Sequence, residues 1–203
     1  MAIDTRLQQL SYSSQLLLHT CPRKFQLYRL NAVQEEREDA VASVTFALGH
    51  AVGTGIQGVL QDKSVEETVW NTFISWEPDL FAEDTKRNKS IWEALIATER
   101  FRFVRESSLL SDYELVFYTP EGTTEPVPAV ELSFIVEMPN GFKYRGYVDA
   151  VLRNKLTSEV LILELKTTGQ STVNPASYKN SAQAIGYSIV LDVLFPELSS
   201  YEV

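Results

Sequence analysis

Apolar positions in the first half of the chain recur at helical spacing. Leu17, Leu18, Cys21, Phe25 and Tyr28 make one such series in residues 11–30, a segment that Pro22 divides. Ser13 or Ser14 suits the cap of the first piece and Thr20 or Cys21 that of the second, with Pro22 tolerated in a first turn. Residues 45–61 predict a second helix that contains Gly49, Gly53, Gly55 and Gly58. Each glycine costs roughly 1 kcal/mol of helix propensity, so the run predicts close packing against a neighbour. Ser64 followed by Glu67 is a capping-box pair that opens a helix through Val65, Val69 and Phe73. Residues 84–106 predict one long helix carrying Ile91, Leu95, Ile96 and Phe103.

From Tyr113 the period changes. Residues 113–118, 128–138, 143–153 and 160–167 are rich in β-branched and aromatic side chains and predict strands. Asn140-Gly141 marks a hairpin between the second and third of these, and residues 154–159 return the chain for the fourth. Residues 177–195 predict a last helix, stopped by Pro196. The pattern is that of an α/β (α+β) chain: helices, an antiparallel run of three or four strands, then a helix on the sheet. With 203 residues and no repeat, one core is expected over 1–203, with 1–110 mainly helical and 111–203 holding the sheet and the last helix.

Composition narrows the class. No stretch approaches the roughly 18–20 apolar residues of a membrane span, and residues 1–14 lack a signal-peptide core, so a cytoplasmic protein is expected. A lone cysteine, Cys21, excludes an intrachain disulfide and any cluster held by several cysteines of this chain. The net charge of −9 argues against a broadly basic surface for nucleic acid but leaves room for a local basic groove.

The candidate chemistry lies on the last two strands. Asp149 ends Gly146-Tyr-Val-Asp149, and Leu163-Glu164-Leu-Lys166 carries an acid and a lysine on one strand face. If these strands pair across residues 154–159, Asp149 falls opposite Glu164. Charges inside apolar strands are costly unless paired or bound to a metal. Two carboxylates with the Leu165 carbonyl are hard oxygen donors suited to Mg²⁺ or Mn²⁺. From these three residues alone, a solvent-facing ion pair on an edge strand reads equally well.

Five segments together resemble the RecB-like branch of the PD-(D/E)XK nucleases, which includes phage exonucleases and CRISPR-associated adaptation nucleases. They are Leu10 to Ser14 with Cys21-Pro-Arg-Lys-Phe25, Phe46-Ala-Leu-Gly49-His-Ala-Val52, Tyr144-Arg-Gly146-Tyr-Val-Asp149, Leu163-Glu164-Leu-Lys166-Thr-Thr and Ala182-Gln183-Ala-Ile-Gly-Tyr187. The resemblance implies a restriction-endonuclease-like core: a mixed central sheet flanked by helices, with a helical N-terminal elaboration. It implies a Mg²⁺- or Mn²⁺-dependent deoxyribonuclease, an exonuclease of DNA processing, repair or recombination, phage-encoded or part of a larger complex. Asp149, Glu164 and Lys166 would be catalytic; Asp149, Glu164 and the Leu165 carbonyl would hold the metal, with Glu131 as an added acid. Gln183 and Tyr187, four apart on a helix, would touch the DNA backbone or support the lysine.

Two positions depart from the family. Its metal-binding histidine, four residues after the helix glycine, corresponds to Gly53, and His50 would serve only through a shift of helix phase. Iron–sulfur members have three further cysteines that this chain lacks, so no such cluster is expected, and Cys21 reads as a small buried apolar residue. His19 reads as a surface residue. Trp70, Trp76 and Tyr12 read as packing residues, with base stacking as their alternative. Were the site unused, the chain would be a nuclease-fold module binding nucleic acid or protein.

Overall fold

Local signals start most of the helices. In the computed structural model, Ser11 caps α1 (Tyr12–Thr20) by accepting the Ser14 N–H at 3.3 Å. Cys21 caps α2 (Pro22–Phe25) through its sulfur, with Pro22 in the first turn, and a π-helical turn at Gln26–Leu30 follows. Ser64 caps α4 (Val65–Ile74) as its pairing with Glu67 predicts. The other helices are α3 (Val44–Leu60), α5 (Ile91–Ser107) and α6 (Ala182–Leu194). The strands are β1 (Gln9–Leu10), β2 (Tyr113–Leu115), β3 (Phe117–Tyr118), β4 (Val127–Pro128), β5 (Val130–Glu137), β6 (Lys143–Asn154), β7 (Val160–Leu163) and β8 (Tyr201–Glu202). The structure describes residues 9–30, 44–76, 89–107, 110–120, 122–139, 141–167, 181–195 and 201–202.

The fold is mixed α/β, with a central mixed sheet and six α-helices among the described residues. β6 is its hub. One edge of β6 carries β5 and β2, both antiparallel; the other carries β1, parallel at Lys143 and Tyr144, and β7, antiparallel from Ala150 to Arg153. β8 joins β7 in parallel, so the sheet is not the purely antiparallel run that strand spacing predicts. β3 and β4 form a separate ribbon, because the expected strands at 113–118 and 128–138 each break into two.

Two apolar layers cover the sheet. Leu132, Phe134, Val136, Tyr144, Val148, Val151 and Ile162 pack with Tyr187, Val190 and Leu191 of α6. Ala150 and Leu152 face Ala47, Leu48, Ala51, Val52 and Ile56 of α3, with Leu161, Leu163 and Leu165 beside them. α3 packs in turn on α4 and α5. Gly55 and Gly58 supply the close packing expected of the glycine run: a Cβ at Gly55 would sit 2.1 Å from Thr98 Oγ1 and 2.7 Å from Thr72 Oγ1, and one at Gly58 would sit 3.2 Å from Thr68.

Several expectations need correction. The buried face of α4 is Thr68 and Thr72, and Val65 is exposed. Thr72 satisfies its hydroxyl on the Thr68 carbonyl one turn back, so it packs like a small apolar group. Ile96 and Phe103 of α5 are exposed, as is Tyr28, while Leu17 and Leu18 are only partly covered. Ser14 is buried inside α1 and does not cap it. Cys21 is half-buried and acts as a cap. Trp76 is buried, Trp70 is exposed and His19 is exposed. At the expected hairpin, Gly141 takes a φ of +79°, which a side chain resists, and Met138 N–H bonds the Phe142 carbonyl; Asn140 lies outside the described residues. So do residues 84–88, 177–180 and Pro196, where the two long helices were expected to begin or stop.

Candidate active site

The register between β6 and β7 builds the centre. Ala150 pairs with Leu163, so the next step along the ladder sets Asp149 opposite Glu164. The ladder stops there. β7 ends at Leu163, not at Thr167 as its composition predicts, because the Leu165 N–H turns from the strand backbone to Asp149 Oδ2 at 2.6 Å. Among the described strands, residues 145–149 of β6 are left without a partner on this edge, between β1 and β7.

A change of strand phase occurs at the same place. Tyr144 and Val148 face α6, yet Ala150 faces α3 and Val151 faces α6 again. On β5, Val130 pairs with Ala150 and Leu132 with Val148, which puts Glu131 opposite Asp149. Glu131 has a φ of +48°, a left-handed conformation that a glutamate rarely adopts. Such backbone outliers concentrate at functional sites. Gln57 of α3 holds the Glu131 carboxylate through its Nε2 at 2.9 Å.

α6 closes the centre from the other side. Ser181 caps it by accepting the Ala184 N–H at 3.1 Å. Gly186 allows the close approach, since a Cβ there would sit 2.3 Å from the Tyr144 hydroxyl. Gln183 and Tyr187 then reach the sheet one turn apart. Gln183 Nε2 donates to Glu164 Oε1 at 2.8 Å and to the Tyr187 hydroxyl at 2.7 Å. The single Tyr187 proton serves either Glu164 Oε2, at 2.8 Å, or the Tyr147 carbonyl, at 3.1 Å. Lys166 forms an ion pair with Glu164 Oε1. Both oxygens of Glu164 are thus engaged, while Asp149 keeps Oδ1 free of any donor among the described residues.

These contacts set the charge balance. Burial raises the Asp149 carboxyl from its usual 3.8 to about 6; the Leu165 N–H opposes the rise, Glu164 and Glu131 add to it, and Lys166 opposes it. Burial likewise raises the Tyr187 phenol, with the bond to Glu164 next, so it remains a neutral donor. Tyr144 is raised by burial, then by Tyr12 and Glu164.

The structure therefore gathers Asp149, Glu164, Leu165, Lys166, Gln183 and Tyr187, with Glu131 close enough to disturb Asp149. It does not join His50 to them: that side chain is exposed, and its backbone carbonyl accepts a bond from the Thr54 hydroxyl. Gly53, the family's histidine position, has open space where a Cβ would stand. Sequence reasoning missed Gln57. The available signal was its place two turns beyond Gly49, where a Cβ would sit 3.3 Å from Thr167 Oγ1.

Among the described residues, no three His, Cys, Asp or Glu side chains are gathered closely enough to hold an ion alone. The donor set still fits a hard divalent cation. Mg²⁺ binds through one or two carboxylates and keeps several waters, and a half-buried Asp149 beside a second carboxylate gains from a positive charge. A cavity of about 650 Å³, lined by Leu60, Arg105, Glu114 and Arg153 among others, shares no residue with this centre.

Comparison with curated proteins finds no match. The model of one family, the PD-(D/E)XK nuclease superfamily, matches residues 9–199 and so takes in β1, the β6–β7 centre and α6. The chain belongs to the PD-(D/E)XK nuclease superfamily.

Proposed function

We propose that this chain is a metal-dependent DNA nuclease of the RecB-like branch, with Asp149, Glu164 and Lys166 as its catalytic residues. The observation that carries the reading is the Asp149 carboxyl, held up at about 6 by burial and by neighbouring acids at the point where β7 leaves β6. Such frustrated carboxylates are costly for folding and useful for binding a cation. Mg²⁺ or Mn²⁺ on Asp149, Glu164 and the Leu165 carbonyl, with Glu131 beside them, supplies Lewis acidity toward a phosphodiester and lowers the pKa of water.

The protein groups do the rest. Gln183 and Tyr187 fix the orientation of Glu164. Lys166 exchanges its ion pair with Glu164 for the substrate phosphate, or for the water that attacks it, and stabilises charge on the phosphoryl oxygens. In-line attack of that water forms one P–O bond and breaks another, releasing a nucleotide hydroxyl. End-directed digestion in DNA processing, repair or recombination follows from the resemblance to phage exonucleases alone.

A second reading, a nuclease-fold binding module, draws on the full engagement of Glu164 and on the absence of a ready ligand trio among the described residues. Digestion of end-labelled single- and double-stranded DNA with Mg²⁺ and with Mn²⁺ separates the two. Cleavage is expected, with Glu164→Ala and Lys166→Ala each slowing it by about 100-fold or more, and the product ladder reports exo or endo action and polarity. No cleavage by folded wild-type protein with either metal would favour the module.

A further inference from the structure

The registered pairs of β5 and β6 order the side chains on the face opposite α6. Ser133 stands by Tyr147, Ile135 by Arg145 and Glu137 by Lys143, and Glu131 and Asp149 lie just beyond them, where the strand phase changes. On this face α3 packs on Ala150 and Leu152 and reaches Glu131 through Gln57. The rest of this face is open: Tyr147 is 64% exposed and Ile135 63%. Glu137 stands across from Lys143, whereas Arg145 faces Ile135 and has no acid across from it in the β5–β6 register.

Arg145 also lines a cavity of about 360 Å³ with Gln9, Leu10, Ser14, Phe25, Tyr28 and Arg29. No acidic residue is among those lining it, although the chain as a whole carries a charge of −9. Neither Arg145 nor Arg29 has an ion-pair partner among the described residues. Two guanidinium groups without an ion-pair partner among the described residues, beside a polar cavity, suit phosphate oxygens. Arg145 and Tyr147 share this face two residues apart, and Asp149 follows two residues further along β6, where the strand phase changes beside Glu164, so cation, aromatic ring and proposed catalytic carboxylate succeed one another over about 13 Å of strand.

We propose that this open face is a track for single-stranded polynucleotide, with Arg145 and Arg29 holding phosphate and Tyr147 stacking a base next to the scissile bond. The inference rests on the nuclease reading and adds a substrate form to it. A basic groove with an exposed aromatic ring is how unpaired strands are held without regard to sequence, because every base has a π-face. A duplex hides those faces, so stacking on Tyr147 selects an unpaired strand or a frayed end.

Fluorescence anisotropy in EDTA, with labelled oligo-dT, oligo-U and a blunt duplex, measures binding without cleavage. Tyr147→Ala is expected to weaken binding of single strands by roughly 5- to 100-fold. Tyr147→Phe keeps the ring and stays near wild type, and the duplex is affected less than the single strands. Replacing Arg29 and Arg145 together by alanine reduces the salt dependence of single-strand binding by about 1.4 in log–log slope. The two oligonucleotides distinguish DNA from RNA as the preferred strand. Wild-type single-strand affinity in Tyr147→Ala, or an equal loss on duplex and single strand, would overturn the track. Wild-type hydrolysis of bis(p-nitrophenyl) phosphate with Mn²⁺, run in parallel, reports on the nuclease reading. Hydrolysis with Tyr147-independent binding removes the track and leaves the nuclease. Tyr147-dependent binding with no hydrolysis leaves the track and removes the nuclease.

Discussion

Replacing Asp149 by asparagine removes a charge that the fold holds at a cost. Its carboxyl rises from 3.8 to about 6, mainly through burial. That rise disfavours the charged form by about 3 kcal/mol, and screening at a partly exposed group reduces this to about 1–2 kcal/mol. The sign follows from proton uptake. Between pH 4 and 6 the native state binds more protons at this carboxyl than the unfolded chain does, so stability from this group falls as pH rises through that window. The uncharged amide would carry no such penalty and would still accept the Leu165 N–H. Asp149→Asn is therefore expected to match wild type near pH 4, gain stability over it between pH 4 and 6, and keep a constant lead above that. The lead corresponds to about 2–8 °C in Tm for a chain of this size. Thermal unfolding in EDTA from pH 4 to 8 measures it. Adding Mg²⁺ at pH 7 should stabilise wild type alone. A variant no more stable than wild type, or one with a lead independent of pH, would refute the reasoning and make Asp149 an ordinary hydrated carboxylate.

Two further outcomes follow from packing and support. Gly55→Ala is expected to cost about 1–3 kcal/mol by overpacking, because its Cβ would meet Thr98 and Thr72, whereas Gly53→Ala, with open space, gains roughly 0.5–1 kcal/mol; urea unfolding compares the two, and equal effects would contradict the packing. Tyr187→Phe keeps the buried ring but removes a donor to Glu164. Steady-state kinetics should show kcat lowered roughly 10- to 100-fold with KM for DNA changed far less, and an unchanged kcat would mean that Gln183 and Lys166 suffice to orient Glu164.

Much of the site was legible because strand periodicity and helix periodicity carry it directly. The step from Ala150↔Leu163 to Asp149 and Glu164 follows from the alternation of two adjacent strands, and Gln183 and Tyr187 follow from one helical turn. The phase change at Glu131 and Asp149 was not legible. Both residues are polar and flanked by apolar neighbours, so alternation reads through them without a break, and nothing in the composition announces a glutamate at a φ of +48°. The end of β7 was hidden for the same reason: Leu165 continues the apolar pattern while its N–H has already left the ladder for Asp149. The inward face of α4 was legible only in part: Phe73 packs against the core as expected, but Val65 is exposed and the fully buried positions are Thr68 and Thr72, which any hydropathy scale ranks below valine. Thr72 and Thr98 bury their hydroxyls on carbonyls one turn back, which lets small side chains lie against Gly55 where larger ones would not fit. Pairing of β1 with β6 rests on two residues, too few for any pattern to show.

The dependence of the sheet on β6 has a consequence for synthesis. β1 leaves the ribosome about 130 residues before its partners Lys143 and Tyr144 exist, and the apolar face of α3 waits about 100 residues for Ala150 and Leu152. Every strand pairing described for the larger sheet, apart from β7 with β8, needs β6. The β5–β6 hairpin can close locally and early, at little loop-closure cost. α3, α4 and α5 can pack on one another first, but the face of α3 that meets the sheet stays uncovered until it does, and during that interval this apolar surface is open to chaperones and to other chains.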